Sequence, residues 1–519
     1  MTKKELAALA AAECTSAETT AHHGGGAGRP FWNAEAIQFM YVPAFHFQAI
    51  PGVKEYRFEA KDEEGALHVF TSDAPTALLT PIWGEIPEGV VELKVWGRVG
   101  GEDKYLVGAR TFFKLAPFSD DLPEAASGYK EAARRAYDFA MSQSLVNHWL
   151  CGTPDPDYDH NVYPSKMISA VVNAMINYAK LAPEKSEEAM KIAVNAADYL
   201  ISVTPTEGPM AFLPPTYQID FRENPEKRNN LTAADRLHTV MMIYPAQAGS
   251  AYLNLEKATG DKKYLEAAEK IGEYYKNHVE PNGSWYLIRD YQTGEALSSN
   301  FCDPLSIIAP FLTRLWKRTG EENWKILADR AIQYVEEKVM ATYEWEGQFE
   351  DSVCSANYSN LTHFGASALI RYYVTNYGDD EAHMAAADDL MRFVEDQFVV
   401  WKRPAPWNKD HYDPAEFLTP SGLEQYKWYV PIDSSTAAIS GTFLAMYKAG
   451  RGELHLAKAM ALADSLTRAQ QPDGRIPTHW MHVDNMFGEE FWINCMFASA
   501  NLLSELGTFL EEKSATESL

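Results

Sequence analysis

Cysteine is scarce and scattered in this chain. Five of its 519 residues are Cys (Cys14, Cys151, Cys302, Cys354 and Cys495), with no CxxC spacing and one necessarily left over. That excludes a disulfide framework and a tetrahedral zinc site, and no metal is expected. Positive charge is also short, with 46 Lys and Arg against 72 Asp and Glu and a net charge of -26. The long-range field therefore repels nucleic acid and anionic membrane surfaces. No apolar run approaches the ~18 residues of a membrane span, and the N-terminus lacks an apolar leader core. The chain as written reads as soluble and cytoplasmic, or as periplasmic or secreted had a leader been removed. A Walker A loop, a Rossmann glycine fingerprint, a G-x-S-x-G elbow and H-E-x-x-H are all missing. Nucleotide-dependent, serine-hydrolase and metallopeptidase chemistry lose their support, and no cofactor is implied.

What the chain does contain is material for a large core: 46% hydrophobic and 12% aromatic residues. Its length calls for two domains or for one large helical toroid. Residues 1–30 read as a flexible tail, with a short Ala-rich helix possible at its start, followed by "HHGGGAGRP". There His22 and His23 fit a Gly-rich linker better than a metal site. Over 31–118 the pattern becomes short alternating runs, "KEYRFEA", "LHVFTS", "VVELKVWGRV" and "KYLVGARTFFKL", punctuated by "IPGV" and "IPEG". Period-two alternation with close turn signals predicts a small all-β sandwich, fibronectin III-like in strand count and size. Its open edge must be managed, which makes it a candidate contact in a homo-oligomer.

Residues 119–512 are helical, followed by a C-terminal tail over 513–519. In "YLEAAEKIGEYYKNH" the residues Tyr264, Ala267, Ala268, Ile271, Tyr274 and Tyr275 form one apolar stripe, so one face is buried. The next helix, "DPLSIIAPFLTRLW", is apolar nearly all round. This amphipathic-then-buried alternation recurs, as in "DDEAHMAAADDLMRFVEDQF" before "DSSTAAISGTFLAMY" and "GELHLAKAMALADSLTRAQ" before "EEFWINCMFASANLLSEL". About twelve helices in six pairs make a degenerate repeat. Six hairpins with buried inner and amphipathic outer helices predict an (α/α)6 toroid. An open solenoid is the alternative, and it needs polar caps at both ends.

The connections fall into two kinds. Those from a buried helix to the next amphipathic one are short, such as "ATGD" and "RTGE". Those from an amphipathic helix into a buried one run to roughly 15–35 residues, beyond the usual connection length. All long loops thus emerge on one face, at the N-termini of the inner helices, where chemistry concentrates and anions are favoured. These loops are rich in Trp, Tyr, His, Asn, Asp and Arg. Aromatic faces stack on the apolar side of a pyranose while amides, carboxylates and Arg bind its hydroxyls, so an oligosaccharide or glycoside is the expected partner.

Six hairpins, a β-domain ahead of them and the segment "PIDSSTAAISGTFLAMYKAG" together resemble the six-hairpin glycosidases. Unsaturated glucuronyl hydrolases carry a similar "DSS…A…A" opening to an inner helix. A β-domain joined to such a toroid is also similar to certain bacterial exo-β-glucuronidases and to some polysaccharide lyases. The resemblance implies a glycoside hydrolase acting from the end of a uronic-acid-containing glycan.

Glu350 and Asp351, in "FEDSVCSANYSNLTH", and Asp303, in "NFCDPLS", are the candidate catalytic carboxyls. Glycoside cleavage needs two carboxyls, one of them with a raised pKa to protonate the leaving oxygen. Asp303 before Pro304 equally reads as a helix N-cap, and Asp433 in "IDSSTAA" has the same double reading. The candidate substrate-binding set comprises Arg236, His238, Tyr358, Asn360, His363, Trp401, Tyr429, Asp433, His479, Trp480 and His482. Arg236 and the His-Trp-His segment at 479, 480 and 482 are expected to hold the uronate. Two other readings stay open. A lyase or uronate epimerase on the same fold would rely on His363 or a tyrosine to abstract a proton. A non-catalytic glycan-binding protein would show affinity without turnover.

Overall fold

The fold was analysed in a computed structural model, which describes residues 1–18, 32–158, 161, 163–216, 238–297, 305–346, 358–406, 417–480 and 491–517. Among the described residues, twelve helices form the ring. The outer ones are α2 (Tyr129–Ser142), α4 (Ser186–Ser202), α6 (Lys262–Asn277), α8 (Glu322–Tyr334), α10 (Glu381–Phe398) and α12 (Glu453–Ala469). The inner ones are α3 (Pro164–Leu181), α5 (Ile243–Thr259), α7 (Leu305–Thr319), α9 (Phe364–Asn376), α11 (Asp433–Lys448) and α13 (Ile493–Glu517). Each inner helix packs on its neighbours in the order α3, α5, α7, α9, α11, α13 and back to α3, and α13 also packs on α2. The ring is closed, as the alternation predicts, and an open solenoid is excluded.

Short connections such as 260–261 and 377–380 lead from inner to outer helices, and long ones such as 143–163 and 203–242 lead back inward. The tight turns have local causes. Gly260 ends α5 at φ +76°, and Asp261 caps α6 through the Lys263 amide at 3.0 Å. Asp380 caps α10 through the Ala382 amide at 2.9 Å. Such side-chain acceptors satisfy amides that the first turn leaves orphaned. Every inner helix therefore starts at one face of the ring, the mouth, and ends at the other.

The β region differs from the expected sandwich. Its described strands are β1 (Gln38–Phe39), β2 (Glu55–Lys61), β3 (Leu67–Ser72), β4 (Gly89–Val99) and β5 (Glu102–Lys114), and they form one sheet in the order β1-β5-β4-β2-β3. The sheet is antiparallel except where β1 runs parallel to β5. No second sheet covers it among the described residues. The segment after β1 and the helical turn Thr80–Trp83 do so instead. Phe45 and Phe39 lie 5.4 and 5.6 Å from the Phe112 ring, and Trp83 stacks on it at 6.0 Å.

Two terminal expectations are also corrected. Residues 3–16, expected in a flexible tail, form the helix α1 (Lys3–Ser16). A Thr2/Glu5 capping box starts it, and Leu6, Ala10 and Cys14 are buried on one face against α12 and the Thr80–Trp83 turn. At the other end α13 continues through the expected C-terminal tail to Glu517, with Lys513 and Glu517 paired at 2.8 Å.

The sheet is fastened to the ring at the end of α10. Asp396 accepts from the amides of Met40 and Tyr41 at 2.5 and 2.7 Å. Glu395, 2% exposed, pairs with the equally buried Lys458 of α12 at 2.7 Å and accepts from the Tyr41 hydroxyl. Buried charges are tolerated only when paired and hydrogen-bonded, and this cluster meets that condition.

Candidate functional site

Three inner-helix N-termini, those of α3, α11 and α13, build the best-defined part of the mouth. The hairpin β9 (Ser421–Gln425) and β10 (Trp428–Pro431) leads directly into α11. Backbone bonds tie this entry to the 478–480 segment: Asp433 N–H to the Thr478 carbonyl and Trp480 N–H to the Pro431 carbonyl, both at 3.1 Å. The Thr478 hydroxyl in turn accepts from the Trp492 amide at 2.9 Å, which positions the start of α13.

Asp433, the first residue of α11, is fully buried. Its carboxyl accepts from the Ser434 amide at 2.7 Å and from the Ser499 hydroxyl at 3.1 Å. Burial drives its pKa well above the usual carboxylate range, although both hydrogen bonds oppose the shift. It is a carboxyl that holds its proton to higher pH than an ordinary aspartate. Such a group donates a proton at a reacting oxygen.

The entries to the same three helices carry a cation and several rings. The Lys166 ammonium lies 4.6 Å from the centre of the Trp492 ring and 5.7 Å from that of Tyr163. The His479 imidazole stands edge-on to Trp428 at 6.0 Å, and burial lowers its pKa to about 4. His479 is thus a neutral base or hydrogen-bonding group at pH 7. Trp428 and Trp492 remain half-buried, and rings of that kind suit the apolar face of a sugar. Sequence reasoning had named Asp433 and His479 but missed Lys166, Tyr163, Trp428 and Trp492. Their signal was position, since all four lie within a few residues of an inner-helix start.

The opposite side of the mouth is built from the entry to α9. Asn360 is buried, donates to the Gln425 side chain at 2.9 Å and accepts from the Lys427 amide at the same distance. Its role is to join this loop to the β9–β10 hairpin. Tyr358 adopts φ +61°, a left-handed conformation uncommon for a bulky residue. His363 is fully buried, bonded through Nδ1 to the Ser367 hydroxyl at 3.2 Å, and its Nε2 has no hydrogen-bond partner among the described residues. Burial first and the Arg371 charge second lower its pKa to about 3. His238 is exposed at the start of β6 (Thr239–Met241), which pairs with β7 (Ile288–Asp290).

Three expected substrate contacts are corrected. Trp401 is fully buried, donates to Glu395 at 3.0 Å and packs edge-on against Phe118, so its ring has no face free for a sugar. Tyr429 is buried and bonds the Gln38 side chain of β1 and the Ala405 amide. Both belong to the junction between sheet and ring. Trp480, 5% exposed, is folded back onto the Pro477 carbonyl at 3.1 Å. Loop residues carry no periodicity, and so nothing in the sequence distinguished a buried aromatic from a presented one. Glu350, Asp351, Asp303, Arg236 and His482, like His22 and His23, lie outside the described residues. Among the described residues no cluster of three metal-ligating side chains occurs, and no helix is long and apolar enough to cross a membrane.

No family model matches the chain, and no curated protein matches it. Solved structures do. A family 76 glycoside hydrolase from a bovine Bacteroides thetaiotaomicron strain aligns over 88% of this chain and 93% of its own, at 9% identity and a TM-score of 0.50. A sugar epimerase from a ruminal bacterium aligns over 73% and 98%, at 11% identity and a TM-score of 0.50. A D-mannose isomerase aligns over 73% and 97%, at 11% identity and a TM-score of 0.51. At these identities the likeness establishes a shared fold, the six-hairpin (α/α)6 toroid.

Proposed function

We propose that the protein is a carbohydrate-active enzyme, a glycoside hydrolase that removes a terminal uronic acid, β-glucuronidase-like in specificity. The observation that carries this reading is the grouping of Asp433, Lys166, Trp428 and Trp492 at one rim of the mouth. An acid that keeps its proton, an ammonium and half-buried rings answer to the three parts of the substrate. The acid protonates the leaving oxygen, the ammonium attracts the uronate carboxylate, and the rings take the pyranose face. A second carboxyl must act as base or nucleophile. Glu350, Asp351 and Asp303 supply it in this proposal, because they precede α9 and α7 in long mouth-side connections. Arg236 and His482 are assigned to the uronate.

His479 favours a second reading. A neutral imidazole beside the acid suits proton abstraction from a carbon next to a carbonyl or carboxyl, the epimerase or lyase route. Among proteins of this fold, two of those named above are a sugar epimerase and a D-mannose isomerase.

The deciding measurement is mass spectrometry of products from uronate-capped oligosaccharides in ¹⁸O-labelled water, with wild type, D433N, E350Q, D351N, D303N and H479N. Hydrolysis puts heavy oxygen in the released sugar, and loss of turnover in D433N together with one other carboxyl variant supports the first reading. Products with a new double bond or an inverted centre, lost in H479N and kept in D433N, overturn it in favour of the second. Sugar affinity without turnover by wild type overturns both.

A further inference from the structure

Below the mouth, the inward faces of the inner helices enclose a cavity of about 430 Å³ between α7 and α9, touched also by α5. Its upper wall, toward the helix starts, is apolar: Ile307, Pro310 and Phe364. Its lower wall carries three cations, Arg314, Arg371 and Lys317. Arg314 donates to the Asn254 amide oxygen at 2.5 Å and Lys317 to that of Asn376 at 2.8 Å, so both partners are neutral. Arg371 has no hydrogen bond or ion pair among the described residues. Glu505, the carboxylate whose field reaches it, is committed to Lys448 at 2.7 Å.

The sequence shows how unusual this sorting is. In a chain of net charge -26, the inner helices hold no acid ahead of Glu505 except Asp433 and Glu256. Asp433 is at the mouth, and Glu256 is bound by Arg318 and Lys262. Lysines in the last turns of α3, α5, α7 and α11 have an ordinary explanation, since cations there oppose the helix dipole. Arg314 and Arg371 sit five residues before the ends of their helices and have no such reason. Burial pushes both guanidiniums below their usual range, and neither has an ion-pair partner among the described residues.

We propose that this cavity is an anion-binding site for a monosaccharide-sized sugar acid or sugar phosphate, its charged group held between Arg314 and Arg371. Gln247, near the start of α5, and Asn376, at the end of α9, also line the cavity and add amides to its polar lining. Guanidiniums match the planar oxygens of carboxylate and phosphate alike. The volume falls in the range of small-ligand sites, and the positive lumen draws anions inward. The proposal does not rest on hydrolysis at the mouth.

Calorimetric titration of the full chain with D-glucuronate, D-glucose 6-phosphate and D-glucose tests it. At low ionic strength at least one anionic sugar binds one per chain, neutral glucose does not, and added NaCl weakens the binding. R371M and R314M each lower the affinity tenfold or more, while K166M, which removes the mouth cation, leaves it in place. Each variant is first matched to wild type by circular dichroism, and R314M alone suffices if R371M does not fold. Binding of glucuronate alone identifies a carboxylate ligand, and of glucose 6-phosphate alone a phosphate. Three outcomes overturn the proposal: no anion bound at millimolar concentration, glucose bound as tightly as the anions, or binding lost in K166M and retained in both arginine variants.

Discussion

D433N separates a buried acid from a buried carboxylate. In the unfolded chain Asp433 ionises near pH 4, as an ordinary aspartate does. In the folded protein burial keeps the proton on it to a much higher pH. Above pH 4 the folded state therefore binds one proton more than the unfolded state. Stability then falls as pH rises, by about 1.4 kcal/mol per unit, until the folded group itself ionises. D433N removes that slope and preserves the contacts. The amide oxygen accepts from the Ser434 N–H as the carboxyl does, and the amide nitrogen donates to the Ser499 hydroxyl. Urea unfolding of the two proteins from pH 5 to pH 7 should show wild type losing stability relative to D433N as pH rises. Other titrating groups are common to both proteins and cancel. A difference that stays flat across this range, or that moves in favour of wild type, would refute the assignment of Asp433 as a proton-holding acid.

Lys458→Met strands Glu395 in the junction between sheet and ring, at a cost of about 3–5 kcal/mol in urea unfolding. E395Q combined with K458M should recover much of that, and a double variant no better than the single one would contradict the paired-charge reading. His363 should titrate by NMR near pH 3, and R371M should move it upward while leaving it below the ordinary histidine range, because burial is the larger cause. In thiol labelling followed by peptide mapping, exposed Cys151 should react at once and Cys14 only after unfolding, since burial both covers that thiol and raises its pKa. Gly249→Ala should lower the free energy of urea unfolding by about 1–3 kcal/mol, because its methyl would meet the Phe311 ring across the α5–α7 contact. A rise in stability would mean that these helices separate more easily than their packing indicates.

The ring was legible because its two signals are local and repeated. Stripe width distinguishes outer from inner helices, and loop length assigns all the long connections to one face. What covers each surface is a non-local matter, and there the reading failed. Alternation located β2, β3, β4 and β5 but could not say that a helical turn, rather than a second sheet, would lie against Phe112. The Gly-rich stretch at 24–28 drew attention from the Thr2–Glu5 box that starts α1, although the box itself was readable. At the site, Asp433 could be found because it opens a strongly apolar helix, whereas Trp401 and Tyr429 looked like sugar platforms only because loops give no burial pattern. The lumen arginines left a trace that went unused. "FLTRLW" and "ALIRYY" each place one cation in a stretch without other charges, and a charge in such a place needs a partner.

The junction explains why a sheet precedes this ring at all. Glu395 and Asp396 lie in the last turn of α10, where a helix C-terminus disfavours negative charge. Both are nevertheless buried there, and their partners come from elsewhere: the amides of Met40 and Tyr41, the Tyr41 hydroxyl, the Trp401 indole and the Lys458 ammonium. Three of these five donors belong to the segment that follows β1. Without that segment Asp396 would lose both backbone amides and Glu395 the Tyr41 hydroxyl at a buried helix end. Gln38 extends the same junction toward the mouth through Tyr429, whose strand β10 runs directly into Asp433. The sheet is in this way a wall of the toroid, and its strand β1 stands two contacts from the acid at the rim.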